Sequence, residues 1–276
     1  MITAANISQI PKRSPFRYPG GKTWLIPQIR EWLIAVANPS TRMVEPFAGG
    51  GIVSLTSVME GLVKSALMIE LDPDVAAVWQ AILGDSWKSL TDRITGFELN
   101  DDSVRTAIQS YPADISEYAF QTILKNRVKR NGIIAGSAGF LKNGESGNGL
   151  KSRWYPLSIS HRIRQIHEYR SSISFTQGDG LKYLNNHRLD ADVVYFIDPP
   201  YNGVGKKLYQ QHTMDLAILF KIISKLRGDF LLTLNNSTEV MEYVNRYNYS
   251  SKEIMMNCGS AKVELVIGRD LSWLNC

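Results

Sequence analysis

The chain has 276 residues, 44% of them hydrophobic and 21% charged, which excludes extended disorder and suffices for one large α/β domain carrying an insertion. No stretch approaches the ~18–20 uncharged apolar residues of a membrane span, and the opening MITAANISQIPKR lacks the basic-then-apolar order of a signal peptide, so a cytoplasmic protein without membrane attachment is expected. Cys258 and Cys276 stand far apart without CxxC spacing, and His161, His167, His187 and His212 show no ligand spacing; neither a disulfide framework nor a metal site is expected.

Phe16-Arg17-Tyr18-Pro19-Gly20-Gly21-Lys22 precedes a helical pattern over 23–36. Backbone amides and the positive end of a helix can receive a carboxylate there, with Lys22 adding charge, although a plain turn would need no ligand. Met43-Val44 then reads as a short buried strand running into Glu45-Pro46-Phe47-Ala48-Gly49-Gly50-Gly51, with a helix from Ile52. A glycine cluster at a strand-to-helix turn lets backbone approach a ligand closely, and an acid at the strand end can accept from amines or hydroxyls. The spacing is neither that of a phosphate-cradling P-loop nor that of a dinucleotide fingerprint. Ser65 to Ile69 is the next strand, ending in Glu70, where nucleoside-binding α/β folds place the acid that holds a ribose. Asp72 suits the N-cap of a helix opening at Pro73 and covering Val75 to Leu83.

From about residue 84 to 165 the pattern changes, helical at first and then rich in glycine and basic residues. Six glycines fall between Gly132 and Gly149, too irregular for a helix and suited to a hairpin or loop. The net charge is +5, yet residues 120–170 hold ten Lys and Arg against Glu145 and Glu168, so this window carries +8 and the remainder −3. Such a concentration suggests a segment facing a polyanion, the alternative being a solvated basic face.

Val193 to Ile197 is another buried run, and it ends in Asp198-Pro199-Pro200-Tyr201. Proline has no amide proton to give a ladder, so neighbouring carbonyls can point into a pocket while Tyr201 offers a flat face. Asp198 and the carbonyl of Pro199 make two adjacent acceptors, which suit an NH2 group. A planar amine beside an aromatic ring points to a base with an exocyclic amino group, turned out of its duplex. Beyond lie a polar stretch with Lys206, Lys207 and His212, read as a loop, a helical pattern over 215–226, and strands over 229–234 and 262–267. Strands alternating with helices give a doubly wound, mostly parallel α/β sheet, with 1–83 and 166–276 as one domain and 84–165 inserted. Trp24, Trp79 and Trp87 are expected in the core rather than at a ligand.

In their order, FRYPGGK, EPFAGGG, the acid after the following strand and DPPY resemble the DNA adenine N6-methyltransferases of the Dam-like (D12 class) family, across nearly the whole chain. The resemblance implies a Rossmann-like methyltransferase fold with S-adenosylmethionine as donor. It assigns Tyr18, Gly20, Gly21 and Lys22 to the donor's methionine end, and Glu45, Pro46, Phe47, Ala48 and Gly49 to its length. Glu70, where many members carry Asp, would take the ribose hydroxyls; Asp179, in Gln177-Gly178-Asp179-Gly180, would lie near the donor's adenine, and Asp198 beside the donor. Asp198, Pro199 and Pro200 would hold the target amine and Tyr201 would stack on the flipped adenine. The insertion corresponds to the target-recognition region, with Lys125, Arg127, Lys129, Arg130, Arg153 and Trp154 at the DNA. Asn126-Arg127 with Gly132 matches the family's N-R-x-x-x-x-G pattern, whereas Arg153-Trp154-Tyr155-Pro156 replaces its aromatic-Asn-Pro segment, which leaves the recognised sequence, GATC or another, open.

The implied activity is methyl transfer to adenine N6 in double-stranded DNA by a monomer, either in a restriction-modification pair with a cognate endonuclease or as an orphan methylase. Cytosine N4 or RNA amino methylation is the nearest rival. A catalytically inactive DNA-binding regulator is the rival from another class.

Overall fold

The computed structural model describes residues 9–17, 21–132, 134, 139–141, 144, 147–200, 214–257 and 261–274. The chain forms two compact units, one of Met1–Lys12, Lys22–Leu71 and Ser172–Cys276, the other of Arg13–Gly21 and Asp72–Ser171. Up to residue 71 the elements are α1 (Ile26–Val36), β1 (Arg42–Glu45), α2 (Ile52–Met59) and β2 (Ser65–Glu70). Helices α3 (Pro73–Leu83), α4 (Trp87–Thr95), α5 (Asp101–Gln109), α6 (Ile115–Val128) and α7 (Pro156–Glu168) follow. The remainder supplies β3 (Ile173–Gln177), α8 (Gly180–Asn186), β4 (Val193–Ile197), α9 (Leu216–Ile223), β5 (Asp229–Asn235), α10 (Thr238–Arg246), β6 (Ser250–Asn257) and β7 (Ala261–Gly268).

The first unit is built on a seven-stranded sheet in the order β3-β2-β1-β4-β5-β7-β6, in which β7 runs antiparallel to both neighbours and the pairs among β1 to β5 are parallel. Every residue of β4, Val-Val-Tyr-Phe-Ile, is buried, as expected of a β-branched and aromatic run at the middle of a sheet covered on both faces. One face carries Val44, Ile69, Tyr195, Ile197, Leu232 and Leu234, which join Phe220 and Ile223 of α9 and Val240 and Val244 of α10 in one apolar cluster. Side chains alternate along a strand, so the register sends Met43, Met68, Phe196 and Leu231 to the opposite face. Helix α2 contacts β1 and β2 there.

The five strands read from the sequence are all present. Two edge strands escaped it: β3 and β6 are ISFTQ and SSKEIMMN, too polar and too weakly periodic to announce themselves. The helix expected over 23–36 begins instead as a 3-10 turn, Lys22–Leu25, with α1 starting where Pro27, lacking an amide hydrogen, fits the first turn. Asp215 caps α9 by accepting from the Ile218 amide.

The second unit is wider than the insertion of 84–165 read from the sequence. Helix α3 packs against α6 and α7, which places it here, and the unit also takes in Arg13–Gly21. Asn126 of α6 holds that segment: its Oδ1 accepts from the Arg17 amide (2.9 Å), and its Nδ2 donates to the carbonyls of Arg17 (3.1 Å) and Gly132 (2.8 Å). Phe16 packs on Trp79 with ring centroids 5.9 Å apart. At the start of the glycine-rich stretch Lys129 and Phe140 form an antiparallel bridge, with the Arg130 amide donating to the Gly139 carbonyl at 3.0 Å; most of the stretch beyond lies outside the described residues.

Candidate active site

From β1 the chain winds one way to β2 and β3, while β4 and β5 lie on the other side, so the order reverses between β1 and β4. In open α/β sheets the crevice beyond the carboxyl ends of the strands at such a reversal binds ligands. Glu45 is the last residue of β1, Glu70 the last of β2, and Asp198 follows β4 directly. Side-chain alternation brings in more. Glu45, Asp198, Thr233 and Glu264 all share the face of Met43 and Phe196, because Val194 lies opposite Met43, Phe196 opposite Leu231, and Glu264 opposite Asn235. Antiparallel β7 thereby delivers a residue near its start to the edge where the parallel strands end.

Lys22, in the 3-10 turn before α1, is only 4% exposed, and its Nζ lies 2.7 Å from Asp198 Oδ2 and 3.2 Å from Glu264 Oε1. Thr233 donates its hydroxyl to the other Asp198 oxygen, Oδ1, at 2.7 Å. Burial alone would lower the Lys22 pKa, but Asp198 and Glu264 outweigh it and hold the ammonium above its ordinary value. Sequence reading sent Lys22 towards a ligand carboxylate and foresaw neither Thr233 nor Glu264. No motif marks these two; only strand register brings them in.

Glu45 is buried, and Oε2 accepts from the amide (3.0 Å) and hydroxyl (2.5 Å) of Ser54 in the first turn of α2. Gly51, the residue before that helix, has φ of 60° and no side chain to cap it, so Glu45 takes the orphan donor from a distance. Burial pushes the Glu45 carboxyl up to about 8 despite those bonds. Glu70 Oε2 accepts from the Gly49 amide (2.9 Å) and Oε1 from the Leu71 amide (2.8 Å), which fixes the glycine turn to the end of β2. Asp179 caps α8 by accepting from Leu181 (2.8 Å) and Lys182 (3.2 Å). A Cβ on Gly180 would stand 2.1 Å from the Pro46 carbonyl, so only glycine lets α8 start against the turn; one on Gly178 would meet nothing within 4 Å.

Other residues singled out by sequence divide sharply. Gly21 is exposed, Pro46, Gly49 and Pro199 are buried, and Phe47 and Pro200 are half-buried. Tyr18, Gly20 and Tyr201, like Lys206, Lys207 and His212, lie outside the described residues. Three residues expected at DNA are instead interior to the second unit. Arg127 is 3% exposed and its Nη2 donates to the Pro15 carbonyl, while burial, and then the guanidiniums of Arg162, Arg17 and Arg153, pull its pKa down to about 9. Lys129 is buried with Nζ donating to the Ile134 carbonyl at 3.1 Å. Trp154 meets Phe97 and Phe120 edge-on. Arg130 is exposed, and Lys125 and Arg153 are half-buried. Among the described residues no group of three or more His, Cys, Asp or Glu could hold a metal, and no helix is long and apolar enough to cross a membrane.

A mostly parallel sheet in this strand order, with a glycine turn after β1, an acid ending β2 and Asp-Pro-Pro after β4, is the Rossmann-like α/β class of fold expected from the sequence. Residues 18–258 match the D12 class N6 adenine-specific DNA methyltransferase family, and the chain belongs to that family. It is an enzyme, and S-adenosylmethionine is its cofactor. No curated protein matches the sequence. Among solved structures the fold is similar to the rRNA methyltransferase AviRa from Streptomyces viridochromogenes, at 11% identity over 96% of this chain and 93% of that one, TM-score 0.45. It is also similar to the M1A22 tRNA methyltransferase TrmK of B. subtilis (12% identity, 88% of this chain, TM-score 0.38) and to M. capricolum TrmK bound to S-adenosylhomocysteine (9%, 87%, TM-score 0.40). The chain spans 64% and 66% of the length of those two TrmK chains.

Proposed function

We propose that the enzyme methylates the N6 amino group of adenine at a specific site in double-stranded DNA. The observation that carries this reading is the placement of Asp198: directly after β4 at the reversal of strand order, with both oxygens oriented by Lys22 and Thr233 and its side chain 20% exposed. A carboxylate accepts through about four lone-pair sites, so neighbours can aim it while it also receives an amine.

The residues at the edge fit the donor. Gly178 opens onto free space, Glu70 presents a half-exposed carboxylate suited to ribose hydroxyls, and the Glu45–Gly49 turn is held to the end of β2 by the Gly49 amide on Glu70. Asp179 beside the donor's adenine, and Tyr18, Gly20 and Gly21 at its methionine end, complete this assignment. When bound, the donor supplies an electrophilic methyl group. Asp198 and the Pro199 carbonyl accept from the target NH2, draw the nitrogen lone pair out of conjugation and orient it in line with that methyl, while Pro200 stiffens the turn and Tyr201 stacks on the flipped base. As the N–C bond would form and the S–C bond break, leaving S-adenosylhomocysteine, the amine would become positive, Asp198 would support that charge, and the extra N6 proton would then pass to water. No covalent enzyme intermediate is needed. Lys125, Arg130 and Arg153 are assigned to DNA phosphates, in a monomeric cytoplasmic enzyme acting with or without a cognate restriction endonuclease.

The test is incubation of the protein with unmethylated plasmid and labelled S-adenosylmethionine, followed by nucleoside analysis and sequencing of the modified positions. N6-methyladenine at one short motif is expected, with Asp198→Ala lowering the rate by about 10²–10³-fold while donor binding persists. Label in cytosine N4 or in RNA would reassign the substrate. Donor and DNA bound without any label would make the protein a regulator.

A further inference from the structure

Three ionisable side chains, one cation and two acids, meet at the end of β4. Lys22 is the cation; Asp198 and Glu264 are the acids at 2.7 Å and 3.2 Å from its Nζ. Glu45, a further titratable group on this face, is pushed up by burial to about 8. Lys22 thus stands between two acids, Asp198 and Glu264. Glu264 is 2% exposed and too deep to meet a substrate, whereas the Asp198 side chain is 20% exposed.

We propose that Glu264 is a positioning residue for methyl transfer: it takes up the charge of Lys22, so that Lys22 can orient Asp198 without neutralising it. The proposal rests on the assignment of Asp198 to the target amine. Lys22 and Thr233 each hold one Asp198 oxygen, which aims the carboxylate. If Lys22 were balanced by Asp198 alone, the pair would be electrically neutral and a weak support for an amine gaining positive charge. Glu264 restores the negative charge from behind, at the cost of burying a second acid, which a buried cation makes tolerable. Loss of a purely structural partner for Lys22 would change stability but leave the single-turnover rate and the donor affinity ratio of the folded protein unmoved, and this distinguishes the two roles.

The variants are Glu264→Gln, nearly isosteric and neutral, and Glu264→Asp, which keeps the charge. Two readings are taken on each folded protein: the single-turnover rate at saturating DNA and donor, and the affinity ratio for cationic S-adenosylmethionine over neutral S-adenosylhomocysteine. The methyl passes directly from sulfonium to amine, so both positive centres lie within reach of the same acids. Glu264→Gln is expected to slow turnover about tenfold or more and to lower the affinity ratio several-fold, with S-adenosylhomocysteine bound as before, and Glu264→Asp to recover most of both. An unchanged rate and ratio in folded Glu264→Gln would overturn the proposal. Should that variant not fold, Lys22→Met and Lys22→Met/Glu264→Gln are compared: equal rates support action through Lys22, and a further loss in the double variant overturns it. A wild-type enzyme that leaves DNA adenine unlabelled would sink the assigned reaction, yet the affinity ratio needs no acceptor and still decides the role of Glu264.

Discussion

Glu45 shows how one buried carboxyl does local structural work at an active site. Its oxygen accepts two hydrogen bonds from Ser54, which ties the end of β1 to the first turn of α2 and fixes the glycine turn between them. Burial nonetheless dominates its titration and raises the folded-state pKa from 4.5 to about 8. The folded protein then binds more protons than the unfolded chain between those values, so this group costs stability increasingly as pH rises from about 4.5 to about 8, and nothing below that window. Glu45→Gln is expected to flatten the dependence. Denaturant midpoints of the two proteins measured across this range should converge, or cross in favour of the variant, as pH rises; a parallel pair of curves would refute the assignment.

At the scale of elements, α6 illustrates how a motif with the look of a DNA contact serves the interior. Asn126 and Arg127 follow one another near its end, and both turn towards Arg13–Gly21: Asn126 brackets Arg17 and Gly132, and Arg127 reaches Pro15. Asn126→Ala would strand three backbone groups, the Gly132 carbonyl buried and the two of Arg17 partly buried, each costing about 1–3 kcal/mol if left unsatisfied, with partial relief from water at Arg17. A loss of roughly 2–4 kcal/mol in unfolding free energy is expected from denaturant titration of the variant. Gly132, with φ of 71°, is part of the same arrangement: a Cβ there would stand 2.4 Å from the Arg17 carbonyl, which explains a glycine six residues after Asn126 better than any contact with a base.

For the whole molecule, the basic surplus of residues 120–170 is real in the sequence but unevenly available. Arg127 and Lys129 are interior, whereas Arg130 is exposed and Lys125 and Arg153 are half-buried. Neutralising Lys125, Arg130 or Arg153 is expected to reduce the slope of log affinity for DNA against log salt by about one each, with stability little changed. Arg127→Gln should instead lower the melting temperature. Unaltered salt slopes in all three surface variants would move the DNA interface away from this region.

The sequence by itself determined the strands that carry chemistry and the order of the motifs. Short apolar runs ending in Glu45, Glu70 and Asp198 are buried parallel strands, and a buried strand can scarcely be written in other residues. It also placed the three acids at the carboxyl edge, since each follows its strand directly. What only the tertiary structure decided is which side chains meet there. Lys22 is 176 residues from Asp198 and 242 from Glu264 in the chain numbering, and they converge because side chains alternate along paired strands and β7 runs backwards beside β5. Register and direction belong to strand pairing, which no local pattern records; in the same way the sequence does not record what packs on the end of α6, and so buried Arg127 and Lys129 read as surface charge.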